Sequence, residues 1–182
     1  MNKAVFLDRD GVLLEDVGYL SDLSEIHYLD KSVEGLLLFR KLGYLLVVVT
    51  NQSGIARGYF KEEFVKKTHK EIKAYFLSYD IEIIDFYYCP HYRDGKIAEY
   101  AIECDCRKPE IGMLKKAEKD YNICLSESIM IGDKSSDMQL ADNAGMLGIR
   151  IAEGKIESGE QYRCTNLLDA ARFVKKNVTN KK

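Results

Sequence analysis

The apolar run Val5-Phe6-Leu7 breaks off at Asp8, and after a single arginine a second acid follows at Asp10, with Gly11 behind it. A short apolar run of this kind reads as a strand buried on both faces of a parallel sheet. In open α/β sheets, reacting groups gather beyond the carboxyl ends of such strands, so Asp8 and Asp10 are expected at the mouth of a site. The same pattern recurs along the chain. Tyr44 to Val49 ends in Thr50-Asn51-Gln52-Ser53-Gly54, Ile81 to Tyr88 leads into Cys89, Ser128 to Ile131 ends in Gly132-Asp133, and a fifth run covers Leu147 to Ile151.

Helical patterns fill the intervals. Ser32 is expected to cap a helix over about 33–42, with Val33, Leu36, Leu37 and Phe39 to Arg40 toward the sheet and Gly43 ending it. Phe64, Val65, Thr68, Ile72 and Phe76 recur at helical spacing between 61 and 78. Pro109 suits the first turn of a helix running to about Tyr121, which puts Lys108 at its entrance. Further helices are expected over 136–143 and 167–176, with Asn180 to Lys182 frayed. Glu15 to Asp30 has too little periodicity for a helix and reads as a loop or flap. The alternation predicts an α/β fold, a Rossmann-like parallel sheet with helices on both faces, in one domain spanning 1–182.

Of 182 residues, 46% are hydrophobic and 31% charged, with a net charge of −2. That balance shows no basic face for nucleic acid and favours a small-molecule partner. No apolar stretch approaches the ~20 residues of a membrane helix, and no leader precedes the first strand, so a cytoplasmic protein is expected. No surplus apolar stripe stands out, and a monomer is expected.

The strand-borne polar groups should share one edge of the sheet. Crowded carboxylates are stable only with a cation, and an oxygen-only set suits Mg²⁺. With Lys108 beside it, such a site seats a dianionic phosphate. One carboxylate then attacks phosphorus and the other protonates the leaving oxygen, which assigns Asp8 as nucleophile and Asp10 as acid/base. A lone acid at a strand end is as often a cap or loop residue; here Asp8, Asp10, Thr50, Asn51, Lys108, Asp133 and Asp137 fall at such boundaries together.

A second signal is Cys89-Pro90-His91 followed, after twelve intervening residues, by Cys104-Asp105-Cys106. Three thiolates and an imidazole make a closed tetrahedral set for Zn²⁺, structural because it leaves no position for substrate. A disulfide or free thiols are the alternatives. Zinc would stiffen the long loop and position Lys108, two residues on. Cys124 and Cys164 read as ordinary thiols, and His27 and His69 as surface or packing residues.

Asp-x-Asp-Gly after a strand, then Thr-Asn-Gln, Lys-Pro and Gly-Asp-x-x-x-Asp in this order resemble the haloacid dehalogenase (HAD) superfamily of phosphatases. The resemblance implies that Asp8 is nucleophile and Mg²⁺ ligand, and that Asp10 is acid/base and binds metal through its carbonyl. It also implies that Thr50 and Lys108 hold the phosphoryl group, that Asp133 completes the metal site, and that Asp137 supports it. Val12 stands where the superfamily usually has Thr. Within the superfamily, Asp8 to Gly11, Thr50 to Gly58, the Cys/His segment through Pro109, and Gly132-Asp133-Lys134 with Asp137-Met138-Gln139 look like the D-glycero-D-manno-heptose 1,7-bisphosphate phosphatases. That likeness implies hydrolysis at C7 of a sugar bisphosphate in lipopolysaccharide-precursor synthesis. Substrate contacts would come from Arg57, Arg107 and Lys134, from Asn51, Gln52 and Ser53, and from Asp16, Gly18 and Tyr19 beside the sugar. Histidinol-phosphate phosphatases have a similar zinc loop but lack Ser53 to Gly58 in this form. A polynucleotide 3′-phosphatase would want a basic groove, and a receiver domain would need its acceptor acid after the third strand, where Tyr88-Cys89 stand. No long insertion follows the first or third strand, so no separate cap domain is expected.

Overall fold

In a computed structural model describing residues 1–177, six strands form one parallel sheet. The expected frayed end, Asn180 to Lys182, lies outside the described residues. The strands are β1 (Ala4–Leu7), β2 (Leu45–Asn51), β3 (Asp85–Cys89), β4 (Ile129–Gly132), β5 (Leu147–Ile151) and β6 (Tyr162–Cys164), in the order β3-β2-β1-β4-β5-β6. The chain therefore starts at the centre, builds outward to β3, and returns to the opposite flank of β1. Leu7 is level with Val48 of β2 and Ile131 of β4, so Asp8, Thr50 and Asp133 emerge at one edge, where the winding reverses and a crevice opens.

The helices are α1 (Ser32–Lys41), α2 (Gly54–Arg57), α3 (Glu62–Leu77), α4 (Gly112–Tyr121), α5 (Ser135–Asn143) and α6 (Leu167–Asn177). Alternate strand residues face opposite layers. Val5, Leu7, Leu46 and Val48 pack with Leu36 and Phe39 of α1, Ile72 and Phe76 of α3, and Ala170 and Val174 of α6. Ala4, Phe6, Val47, Val49 and Met130 pack with Met113, Leu114 and Ala117 of α4 and with Leu140 and Ala141 of α5. Both faces are covered, which is why the strand sequences are continuously apolar rather than alternating. Among the described residues no helix is long and apolar enough to cross a membrane.

Several local expectations are corrected. Ser32 does not cap α1: it is the buried first helical residue, and Lys31 before it takes the cap position at φ 67° without a side-chain bond. Arg40 turns outward and pairs with Asp80 at 3.1 Å. Residues 81–84 have no regular secondary structure although Ile81 and Ile83 are buried, and ladder pairing begins only at Asp85, opposite Val47. Pro109 does not open α4, which starts three residues later at Gly112; the Lys108–Pro109 peptide is cis. The short elements α2 and β6 were not anticipated.

Residues 15–30 form a loop closed at its base. Leu14 bridges Tyr28, and the Glu15 N–H donates to the His27 carbonyl at 2.9 Å. Inside it, Asp22 and Glu25 cap a single 3₁₀ turn, Leu23–Glu25. This folds the loop on itself and leaves Asp16 to Leu20 projecting toward the sheet edge.

Candidate active site

Lys108 is the charge on which the site centres. It is 4% exposed, and its Nζ lies 3.0 Å from Asp8 Oδ1 and 2.7 Å from Asp137 Oδ1 while donating to the Val49 carbonyl at 3.0 Å. Burial alone would lower the lysine's pKa, but Asp8 and Asp137 hold it above the usual value. The other Asp137 oxygen accepts from the Lys134 N–H at 3.0 Å, so both oxygens of this buried acid are engaged. It supports the site from beneath, from the first turn of α5.

Asp8, Asp133 and Asp137 offer carboxylate oxygens that lie within 4.8 Å of one another. Asp133 Oδ1 is buried without a hydrogen-bond partner. Burial, reinforced by the charges of Asp8 and Asp137, pushes the Asp133 carboxyl up to about 6. A hard cation would satisfy the stranded oxygen and offset this repulsion, and an all-oxygen donor set fits one. Gly11 makes the approach feasible: it sits at φ 81°, and a Cβ there would come within 2.4 Å of the Asp133 carboxyl. The Asp133 carbonyl is itself held by Arg150 Nε, at 3.1 Å, from the end of β5.

Asp10 is arranged differently from Asp8. Arg9 folds back so that Nε meets Asp10 Oδ1 at 3.0 Å and an Nη meets Oδ2 at 2.9 Å. Gln52 Nε2 reaches the same Oδ2 at 3.2 Å and Thr50 Oγ1 at 3.0 Å, tying the first strand's acid to the second strand's hydroxyl. Asn51 turns toward Lys108: its amide donates to the Lys108 carbonyl at 3.1 Å and accepts from the Lys108 N–H at 3.0 Å. It therefore fastens the lysine's backbone as well as lining the cavity.

That cavity, about 340 Å³, opens over these groups and is lined by Arg9, Asp10, Asn51, Gln52, Ser53, Arg107 and Lys134, with Asp16, Gly18, Tyr19 and Leu20 of the flap. An Asp16–Lys134 ion pair at 2.9 Å and an edge-on Tyr19–Tyr59 contact at 4.7 Å hold the flap over one side. Arg57, expected among the substrate contacts, stands back from the cavity with its guanidinium 3.9 Å above the Tyr92 ring. Arg107 lies 5.3 Å from that ring and donates to the His91 carbonyl at 3.1 Å. Two residues here escaped the sequence reading, Arg9 and Arg150. Arg9 lies between the two acids and Arg150 near the end of the fifth apolar run, and nothing in their spacing tells which neighbour either side chain turns to.

Cys89, His91, Cys104 and Cys106 converge from the end of β3 and the loop before α4. Sulfur separations are 3.5 Å (Cys89 to Cys104) and 3.4 Å (Cys104 to Cys106), and His91 Nδ1 is 3.3 Å from Cys106 Sγ and 3.8 Å from Cys89 Sγ. A tetrahedron with ligands ~2.0–2.3 Å from its centre has edges of roughly 3.3–3.8 Å, whereas a disulfide needs ~2.05 Å. The set has the spacing of a metal cage and not of a disulfide. Hydrogen bonding from Cys89, with Cys104 and His91 adding to it, holds the Cys106 thiol down to about 5 against the effect of burial. His27 is exposed and His69 is buried, stacked on Phe86 and kept neutral by burial, which lowers its pKa to about 3. Neither lies in a metal cluster.

A family model for HAD-hydrolase-like proteins matches residues 105–177. The chain is 40% identical to the D-glycero-beta-D-manno-heptose-1,7-bisphosphate 7-phosphatase of Haemophilus influenzae, over 97% of this chain and 98% of the relative. It is also 40% identical to the D-glycero-alpha-D-manno-heptose-1,7-bisphosphate 7-phosphatase of Photorhabdus laumondii, over 79% of each chain. Among solved structures, the D,D-heptose 1,7-bisphosphate phosphatase of B. bronchiseptica, crystallised with magnesium and phosphate, superposes with a TM-score of 0.80. The two are 26% identical, and the match covers 94% of this chain and 97% of that one.

Proposed function

The chain belongs to the heptose-bisphosphate phosphatase family of HAD-like hydrolases, and from that premise we propose that it removes the C7 phosphate of D-glycero-D-manno-heptose 1,7-bisphosphate. The observation that carries this reading is the Asp8–Lys108–Asp137 array beside the stranded Asp133 oxygen, each of these four groups one residue along the chain from a group that lines the cavity, Arg9, Arg107, Ser136 and Lys134. Asp8 Oδ1 already accepts from the Arg9 N–H at 2.7 Å and from Lys108. Oδ2 is therefore the oxygen that bonds to phosphorus. As the ester P–O bond breaks, Asp10 gives its proton to the departing sugar oxygen; the resulting carboxylate then takes a proton from the water that hydrolyses the aspartyl phosphate. Thr50 and Lys108 hold phosphoryl oxygens. Arg107 and Lys134 receive the second phosphate and the sugar, Asn51, Gln52 and Ser53 line their seat, and Asp16 to Tyr19 close over it. Arg57 joins the second-phosphate contacts by moving from its place over Tyr92.

Asp8 and Asp133, with the Asp10 carbonyl, are the groups that would hold Mg²⁺. Bound there, it would neutralise part of the charge on the carboxylates and on the phosphoryl group. Cys89, His91, Cys104 and Cys106 would hold a structural Zn²⁺. We take the chain to act as one phosphatase domain over 1–182 and as a monomer in the cytoplasm, supplying heptose for lipopolysaccharide precursors.

Phosphate release tests the reading on both heptose bisphosphate anomers, fructose bisphosphate, histidinol phosphate and a 3′-phosphorylated oligonucleotide. One heptose anomer should exceed every non-heptose substrate in kcat/KM by about tenfold or more, and chelating Mg²⁺ should stop turnover reversibly. Preference for histidinol phosphate or the oligonucleotide would replace the heptose assignment.

For the second metal, elemental analysis should return one zinc per chain. Stripping it, or substituting Cys104→Ser, should lower the melting temperature by roughly 5 °C or more and weaken activity indirectly. A zinc-free chain with unchanged melting would rule out the structural role.

A further inference from the structure

Arg9 has no part in the chemistry described so far, yet it is 2% exposed and spends its guanidinium on the neighbouring acid. Its fork meets both oxygens of Asp10, and Gln52 supplies a third bond to one of them. The Asp10 side chain keeps 16% of its surface exposed, toward the cavity. The terminal torsion of an aspartate is broad and twofold. One hydrogen bond would leave the carboxyl group free to turn, whereas a planar two-point fork fixes its plane. We propose that Arg9 is a positioning residue that sets the plane of the Asp10 carboxyl group and thereby aims its proton at the leaving oxygen. This rests on the acid role given to Asp10 above.

The alternative is that Arg9, which also lines the cavity, binds the phosphoryl group. The two roles separate by leaving group. A sugar alkoxide needs a proton as the P–O bond breaks, while p-nitrophenolate leaves as an anion. The ratio kcat/KM reports the steps up to phosphoryl transfer onto Asp8 and is insensitive to the later hydrolysis, in which Asp10 is also used. Arg9→Met keeps the apolar stem and loses the fork. It should lower kcat/KM for D-glycero-D-manno-heptose 1,7-bisphosphate by about 100-fold and for p-nitrophenyl phosphate by no more than about threefold. Arg9→Lys makes one contact where arginine makes two and should recover only part of the loss. Equal losses on the two substrates, or no loss on either, overturn the proposal. Should Arg9→Met fail to melt cooperatively, Arg9→Lys decides: a leaving-group split of at least about fivefold supports it, and no split overturns it. If the wild-type chain hydrolyses neither substrate, the phosphatase reading itself has failed.

Discussion

Asp8→Asn should abolish phosphate release while leaving the fold in place. An amide has no anionic oxygen to attack phosphorus, so kcat should fall by at least about 10⁴-fold. The substitution keeps the geometry that holds residue 8, because an Asn carbonyl still accepts from the Arg9 N–H and from Lys108 as Asp8 Oδ1 does. It also removes one negative charge from a site where Asp133 is already pushed up by its neighbours. The melting temperature should therefore stay within about 3 °C of the parent, and inorganic phosphate should still bind. Single-turnover assays with acid quench would check this by searching for aspartyl phosphate, which the parent should accumulate or pass through and the variant should never form. Residual turnover above roughly 1% of the parent would take the nucleophile's role away from Asp8.

Lys108→Met should produce the largest change in stability. The two residues are similar in length, so the loss is electrostatic: the ammonium now balances Asp8 and Asp137 in a place where neither it nor Asp137 reaches water. Removing one partner of a buried ion cluster leaves uncompensated charge, at about 3–5 kcal/mol. For a chain of this length that is roughly 6–20 °C in melting temperature. The pH dependence has a definite sign. Burial already raises the Asp137 carboxyl, and without the lysine it loses the charge that opposes this, so the folded chain binds more protons than the unfolded one and stability falls as pH rises above about 4. Urea midpoints should therefore be higher at pH 5 than at pH 8, and Mg²⁺ should recover part of the loss at pH 8. Stability equal to the parent's at pH 8 would mean that Asp8 and Asp137 are not held by this lysine.

The strands and the acids at their ends were legible in the sequence for one reason. A sheet covered on both faces demands continuous apolar runs, and a continuous run has a visible end. Asp8, Thr50 and Asp133 are each found by that rule, and parallel pairing brings them to one edge without further information. What the rule does not reach is the direction a side chain takes after the strand stops. Asn51 looks outward by spacing, yet its amide turns back onto the Lys108 backbone. Arg9 sits between two acids and folds onto one of them. The short elements escaped because α2 has four residues and β6 three, too few for either period to register. Lys31 takes the cap position one residue before the expected Ser32, which is the buried first residue of the helix; residue type marks a cap only to within such a shift. The convergence of Cys89, His91, Cys104 and Cys106 was legible because a ligand-like pattern depends on residue type and spacing, not on local conformation.

The position of β1 in the middle of the sheet has a temporal consequence. Made before the other five strands, β1 gains its neighbour β2 within some forty residues, but its other edge stays open until β4 has been made, more than a hundred residues later. The stretch between supplies β3, the four side chains of the Cys/His cluster, Lys108 and α4. The lysine therefore precedes Asp133 and Asp137, and counter-charge is waiting before the last acids enter the cluster. The same docking of β4 that fills the second edge of β1 also brings Asp133 over Gly11. A nascent chain thus gains the second neighbour of its central strand and the last of its strand-borne reacting groups in a single event, before β5, β6 and α6 are made.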